Sequence, residues 1–279
     1  MKKISEEKLI VWGARGGLPA SGKEFSDFGH ATSCVQLEVP GHNVIFDAGS
    51  GIANLGETIL KNHDTRPIDI IIGHYHYDHI IGLPFFAPLF SEAIKTRIHL
   101  PVLGKDSGLS VIDKFLSPPL FPKNRSVFSK NVSFLEFKPG DNINLGKNIT
   151  CRTLSLPHPG LNTAFRVLGK NCDVVYASDV EAENPSLIDD IAHFSKGTNY
   201  IFIDSSYTQK ELETRRGWGH FSFQEVTELA KKIKDTQVLI FHHDFLRTDQ
   251  DLKLILQKVL KEAGNLQVCK EQSVFKFPS

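Results

Sequence analysis

The chain has 279 residues, 41% of them hydrophobic, with 32 lysines and arginines balancing 32 aspartates and glutamates. That size suits one large α/β domain over 1–279, and a net charge of zero removes the broad basic footprint of a general nucleic-acid binder. No apolar run is long enough to span a bilayer, the charged start Met1–Lys8 carries no signal segment, and the cysteines (Cys34, Cys151, Cys172, Cys269) form no C-x-x-C, so a reduced, cytoplasmic setting with core-packed thiols is expected.

In chain order, the first strands fall at Leu9–Trp12, Cys34–Val39 and Asn43–Phe46. Ile52, Leu55 and Ile59, spaced along one helical face, predict an amphipathic helix after Asp47-Ala-Gly-Ser-Gly51. An apolar run, Ile68–Ile72, leads to His74, and Phe85, Phe86 and Phe90 behind it read as core. The segment 101–130 is the loosest, with Gly104, Gly108 and Ser117-Pro-Pro-Leu-Phe-Pro122. Its Phe115, Leu116, Leu120 and Phe121 predict a packed cap. Three more apolar runs end in the same kind of residue: Val174–Ala177 before Asp179, Tyr200–Ile203 before Asp204, and Val238–Phe241 before His242. Such runs read as strands buried on both faces, and in α/β folds ligands gather at their carboxyl ends. Ser222 and Glu225 have capping-box spacing ahead of Val226, Leu229, Ala230 and Ile233. Asp251–Ala263 predicts a last helix, closed by Gly264.

The densest chemistry is His74-Tyr-His76-Tyr-Asp78-His79. Imidazole and carboxylate together suit zinc, manganese or iron better than calcium or magnesium. Adjacent side chains cannot all reach one ion, so the crowding predicts two divalent metals, zinc first among the candidates. A solvated histidine loop is the competing explanation, and four strand ends carrying metal-type side chains speak against it.

With these motifs in this order, the chain resembles the metallo-β-lactamase superfamily, whose members are metal-dependent hydrolases. The matching stretches are Asp47-Ala-Gly-Ser-Gly, His74 to His79, Leu156-Pro-His158-Pro, Ala177-Ser-Asp179 and Phe241-His242-His243-Asp244. The resemblance implies an α/β fold, an αββα sandwich of two mixed sheets flanked by helices. It implies that His74, His76 and His158 hold one metal, that Asp78, His79 and His242 hold the second, and that Asp179 bridges them. His243 is the rival of His242. Trp12-Gly-Ala-Arg-Gly-Gly-Leu-Pro19, Asp204-Ser-Ser-Tyr207 and Gly217-Trp-Gly-His220 resemble elements of the phosphodiesterase branch, which includes tRNase Z and class II cyclic-nucleotide phosphodiesterases. His30 and Ala31 depart from that branch's Gly-Gly-Asn-Thr-Ser-Cys pattern. The interval from His158 to Asp179 is too short for a tRNA-gripping arm.

The expected activity is therefore hydrolysis of a small phosphodiester, such as a cyclic nucleotide. Asp78 is the candidate to accept the proton of the attacking water. His220 is the candidate to assist the leaving group, with Asp204 fixing its tautomer. Asp204 also reads as a turn cap, and Asp47 as orienting a histidine or capping a helix. Arg15 reads as a phosphate contact or a surface salt bridge. His243 and Asp244 read as supports of the metal ligands, and His30, His42, His63, His99 and His193 as structural or surface. An RNA-processing nuclease, a lactone or thioester hydrolase and a non-catalytic binding protein are the alternatives. Nucleic acid is not the favoured partner, no membrane is expected, and a homodimer is left open.

Overall fold

The computed structural model describes residues 6–146, 148–182, 184 and 186–278. Its frame is two seven-stranded mixed sheets laid face to face. In spatial order the first holds Val274–Lys276, Lys8–Gly13, Cys34–Val39, His42–Phe46, Ile68–Ile71, Thr96–Pro101 and Val132–Phe137. Its strands run antiparallel up to His42–Phe46 and parallel beyond it. The second holds Leu266–Val268, Gln237–Phe241, Tyr200–Asp204, Asp173–Ala177, Asn162–Leu168, Thr150–Leu156 and Asn142–Asn144. There the first four are parallel and the rest antiparallel.

Three apolar layers follow from side-chain alternation along these strands. Between the sheets, Val11, Val35, Phe46 and Ile71 meet Cys151, Phe165, Tyr176 and Phe241. On the outer face of the first sheet, Ile45, Ile70 and Ile98 take Ile52, Leu55 and Ile59 of the helix Gly51–Lys61. On the outer face of the second, Val175, Ile201 and Ile240 take Leu187 and Ile191, Val226 and Leu229, and Leu252 and Leu256. These come from the helices Ser186–Ser195, Phe223–Lys232 and Asp249–Val259. The expected αββα sandwich is the observed one, and all four cysteines are buried and free.

Three local expectations shift. The last helix ends at Val259, not at Gly264. Lys261 and Glu262 donate to Lys258 and Val259 three residues back, so the chain tightens before Gly264, whose φ is not positive. The 101–130 segment contains a helix, Gly108–Phe115, whose Ile112 is buried with Leu116 while Leu120 is exposed. Phe86 is buried, but Phe85 and Phe90 are exposed, because the one-turn 3₁₀ helices Leu83–Phe85 and Ala87–Phe90 cannot turn all three rings inward.

Candidate metal centre

The buried strands end at one edge of the sandwich and release their ligands there. Ile68–Ile71 is followed by Gly73 and His74, and the one-turn helix Tyr77–Ile80 carries Asp78 and His79. His158 follows Thr150–Leu156, Asp179 follows Asp173–Ala177, and His242 comes directly after Phe241. Asp47, Asp179 and His242 have φ of 58°, 60° and 59°. Each lies one or two residues past a strand, where a left-handed residue turns the chain sharply enough to aim its side chain back across the sheet edge. Aspartate and histidine tolerate that region better than branched residues, at about 1–3 kcal/mol each.

All seven expected ligands converge. His74, His76, His158 and Asp179 form one group with donor atoms within 4.8 Å of each other, and Asp78, His79, Asp179 and His242 form a second. Asp179 belongs to both. Its Oδ2 lies 3.6 Å from His74 Nε2, 3.9 Å from His158 Nε2 and 3.3 Å from His79 Nε2, while its Oδ1 lies 3.1 Å from His242 Nε2. Asp78 Oδ2 is 3.2 Å from His79 Nε2 and 3.0 Å from His242 Nε2. Four ligands placed tetrahedrally at 2.0–2.1 Å from a zinc ion stand about 3.3 Å apart. The spacing therefore fits coordination. His74 Nε2 and His79 Nε2, the nitrogens that face Asp179, are buried without hydrogen-bond partners, as nitrogens reserved for a cation would be.

The electrostatics agree. Burial, joined by the His79 charge, pushes His74 well below the usual imidazole range, and burial lowers His76 and brings His158 down to about 4. Burial opposes the charged forms of Asp78 and Asp179 too, but neighbouring histidines overrule it and hold both well below the carboxylate range. At His79 and His242 burial works against protonation and is outweighed by carboxylates, Asp179 foremost, so both are raised. Ionised acids and neutral imidazoles are the forms that bind metal, and a divalent cation would displace the protons of His79 and His242.

The groups behind the ligands set their direction. Asp47 accepts from His79 Nδ1 (2.7 Å), Gly73 N (2.9 Å) and Tyr176 Oη (2.8 Å), so it orients a histidine and does not cap the helix. His158 Nδ1 donates to the Gly219 carbonyl at 2.9 Å. Gly17 N donates to Asp78 Oδ2 at 2.8 Å, which brings the glycine-rich loop to the site through its backbone. His220 Nδ1 donates to Asp204 Oδ2 at 2.8 Å, and its ring lies 5.8 Å from that of His158 and 5.1 Å from that of His242. Burial opposes the His220 charge, but Asp204 raises it to about 9. Asp204 also caps the following turn, its Oδ1 accepting from Ser206 N (3.0 Å) and Oγ (2.8 Å). The same Ser206 Oγ lies 3.2 Å from His242 Nδ1.

Other expectations are corrected. Arg15 is fully buried and reaches neither phosphate nor surface. It donates to the carbonyls of Gly29 (2.8 Å) and Arg247 (2.8 Å) and pairs with Asp249 (3.3 Å), holding loops together. His243 points away from the ligands, with Nε2 2.8 Å from the Cys269 carbonyl and its ring edge-on to Phe28. His242 sits at the left-handed turn that ends Gln237–Phe241, whereas His243 begins the short strand His243–Asp244 paired with Arg15–Gly16, so His242 faces the centre and His243 does not. Asp244 pairs with Arg215 (3.1 Å) and supports no ligand. His30 Nε2 meets the Gly22 carbonyl. His42 and His99, expected to be structural, are so: they flank the buried Asp69 together with Arg97. Sequence reading missed Tyr176, Ser206, Glu181 and Gly219, which act across long chain separations; a tyrosine inside an apolar strand, needing a partner for its hydroxyl, was the one available signal.

Fold and clustered donors together define a metal-binding protein of αββα architecture. The family model described as "Beta-lactamase superfamily domain" matches residues 42–243, and the chain belongs to that family, with the metallo-β-lactamase fold. No curated protein matches the sequence. Among solved structures, the metallo-β-lactamase fold protein YhfI from Bacillus subtilis is similar with TM-score 0.71 and 19% identity, covering 97% of this chain and 98% of its own. The short form of human tRNase Z gives 0.67 and 17%, covering 98% and 100%. Yeast PDE1 gives 0.66 and 15%, covering 98% and 99%. At these identities the likeness is one of fold.

Proposed function

We propose that the protein is a dinuclear metal-dependent phosphodiesterase of the family's phosphodiesterase branch, acting on a small phosphodiester such as a cyclic nucleotide. The observation that carries this is the His220–Asp204 pair, held at 2.8 Å beside both ligand groups. A phosphodiester with a poor leaving oxygen benefits from a positioned acid. The fold likeness to tRNase Z and PDE1 supports the same branch.

His74, His76 and His158 would hold one divalent cation, Asp78, His79 and His242 the other, and Asp179 both, with zinc first among zinc, manganese and iron. Such a pair supplies an acidified water and positive charge against the phosphoryl oxygens. The chain does the rest. Asp78, fixed by the Gly17 N–H, is placed to take the proton of the attacking water. Asp204 engages His220 Nδ1, which leaves Nε2 to donate to the departing oxygen. In the metal-free chain burial opposes the His220 charge but Asp204 raises it to about 9, which favours the protonated form an acid needs.

Pre-tRNA is not favoured as substrate: the interval from His158 to Asp179 is occupied by the antiparallel pair Asn162–Leu168 and Asp173–Ala177, with no projecting arm. The test is metal content together with hydrolysis of bis(p-nitrophenyl) phosphate, for the wild type and Asp179→Ala. Two metals per chain and diester cleavage, both lost in the variant, are expected. Two metals without cleavage would sink the proposal and turn attention to lactones and thioesters.

A further inference from the structure

One buried carboxylate near the site takes no part in the chemistry above. Glu181 lies two residues past Asp179 and is 8% exposed. Each of its oxygens accepts one backbone N–H from a single loop, Gly217 N at 2.7 Å and Gly219 N at 2.8 Å. Its own N–H donates to the Pro157 carbonyl at 3.1 Å, next to His158. The loop it grips is unusual in two ways. Gly217 and Gly219 both have left-handed φ, 84° and 88°, so the two N–H groups turn to the same side. Gly219 also has no room for a side chain, since a Cβ there would lie 2.1 Å from His158 Nδ1. The Gly219 carbonyl orients His158, and the next residue is His220.

We infer that Glu181 is a positioning residue that clamps the 217–219 loop and so fixes two groups at once: the His158 imidazole through the Gly219 carbonyl, and His220 through the chain. A carboxylate suits this task because it accepts at both oxygens. A glutamine of the same size accepts at one and turns an N–H against the second donor, so half the clamp becomes a repulsive contact. The His220 part of the role belongs to the phosphodiesterase reading above; the His158 part stands without it.

The experiment compares Glu181→Gln and Glu181→Asp with wild type, in zinc titration against a competing chelator and in hydrolysis of aryl phosphodiesters carrying p-nitrophenolate or phenolate leaving groups. Groups that orient metal ligands typically contribute 10–100-fold in affinity, and a loss of that size is expected in Glu181→Gln for one of the two zinc ions. Because His220 assists departure, kcat should fall more for phenolate than for p-nitrophenolate. In a His220→Ala background Glu181→Gln should then add little to that difference, the non-additivity of residues acting through one another. Glu181→Asp keeps the charge and should restore part of both effects; it also serves if the glutamine variant does not fold. Unchanged zinc affinity and unchanged leaving-group dependence would overturn the inference. So would equal rate losses on both substrates that add fully to His220→Ala, the mark of a merely structural residue. If the wild type cleaves neither diester while Glu181→Gln loses zinc affinity, the phosphodiesterase reading fails and the clamp on His158 stands.

Discussion

Asparagine in place of Asp47 would move a proton rather than remove a contact. Asp47 Oδ1 accepts from Gly73 N, and Oδ2 accepts from His79 Nδ1 and Tyr176 Oη. An asparagine that keeps the Gly73 bond must aim its NH₂ at His79 Nδ1. That nitrogen must then accept, and the ring proton moves to Nε2. Nε2 is the atom 3.2 Å from Asp78 and 3.3 Å from Asp179, the one that must be bare to bind a cation. Asp47→Asn should therefore lower affinity for one metal by about 10–100-fold. Stability should change by less than about 2 kcal/mol, since the tyrosine hydroxyl can rotate to accept from the amide. Asp47→Ala instead strands the His79 Nδ1–H, the Gly73 N–H and the Tyr176 hydroxyl, at about 1–3 kcal/mol for each buried orphan, or about 3–9 kcal/mol together. Chelator-competition titration and urea denaturation of the metal-free protein separate the two effects. An Asp47→Asn protein with wild-type affinity for both metals would refute the tautomer argument.

Gly219→Ala should cost metal at the His158 position as well as activity, because the added methyl would overlap His158 Nδ1 and Cε1, at 2.1 and 2.3 Å; normal zinc stoichiometry and affinity would count against that contact. Arg15→Met should destabilise the fold by about 3–5 kcal/mol, since it leaves Asp249 and several loop carbonyls without their buried partner; urea denaturation measures it, and a loss under about 1 kcal/mol would show the loops hold without the guanidinium. His243 gives a pH signature. Burial lowers it to about 3, against about 6.5 in an unfolded chain, so its stabilising contribution is complete above pH 6.5 and drains away as pH falls toward 3. Between pH 6.5 and 4.5 the loss is about 2 kcal/mol. Metal-free His243→Gln should show a correspondingly flatter stability profile than metal-free wild type, and parallel profiles would contradict the assignment.

The readable part of the site was the part written in short-range spacing. The residues His74 to His79 announce a metal centre because four donors crowd six positions, and Asp179, Asp204 and His242 because each follows a run of strand-forming residues. Ser222 and Glu225 likewise form the capping box their spacing promised. What stayed hidden depends on which distant backbone comes close. Glu181 serves a loop 36 residues away, and Tyr176 reaches an aspartate 129 residues back. Arg15 misled for the same reason: a glycine-rich loop with one arginine is equally consistent with a phosphate cradle and with a guanidinium swallowed by neighbouring loops. Only tertiary packing distinguishes them. The early end of the last helix was set by local turn energetics that a distant glycine does not reveal.

The left-handed backbone at Asp47, Asp179 and His242 has an evolutionary consequence. Three positions of the metal centre are places where glycine would relieve conformational strain, so the chain's own folding equilibrium pulls against the side chains its chemistry uses. Glycine variants at Asp179 and His242 are candidates for proteins sturdier than the parent in the metal-free form yet inert, whereas at Asp47 the stranded donors outweigh the relief. Bound metal would reverse that ranking, since ligand that binds only the folded state adds about 4 kcal/mol at a thousand times its dissociation constant. Metal supply in the cell would then set whether selection on this chain sees its strained residues as a burden or as its strongest fastening.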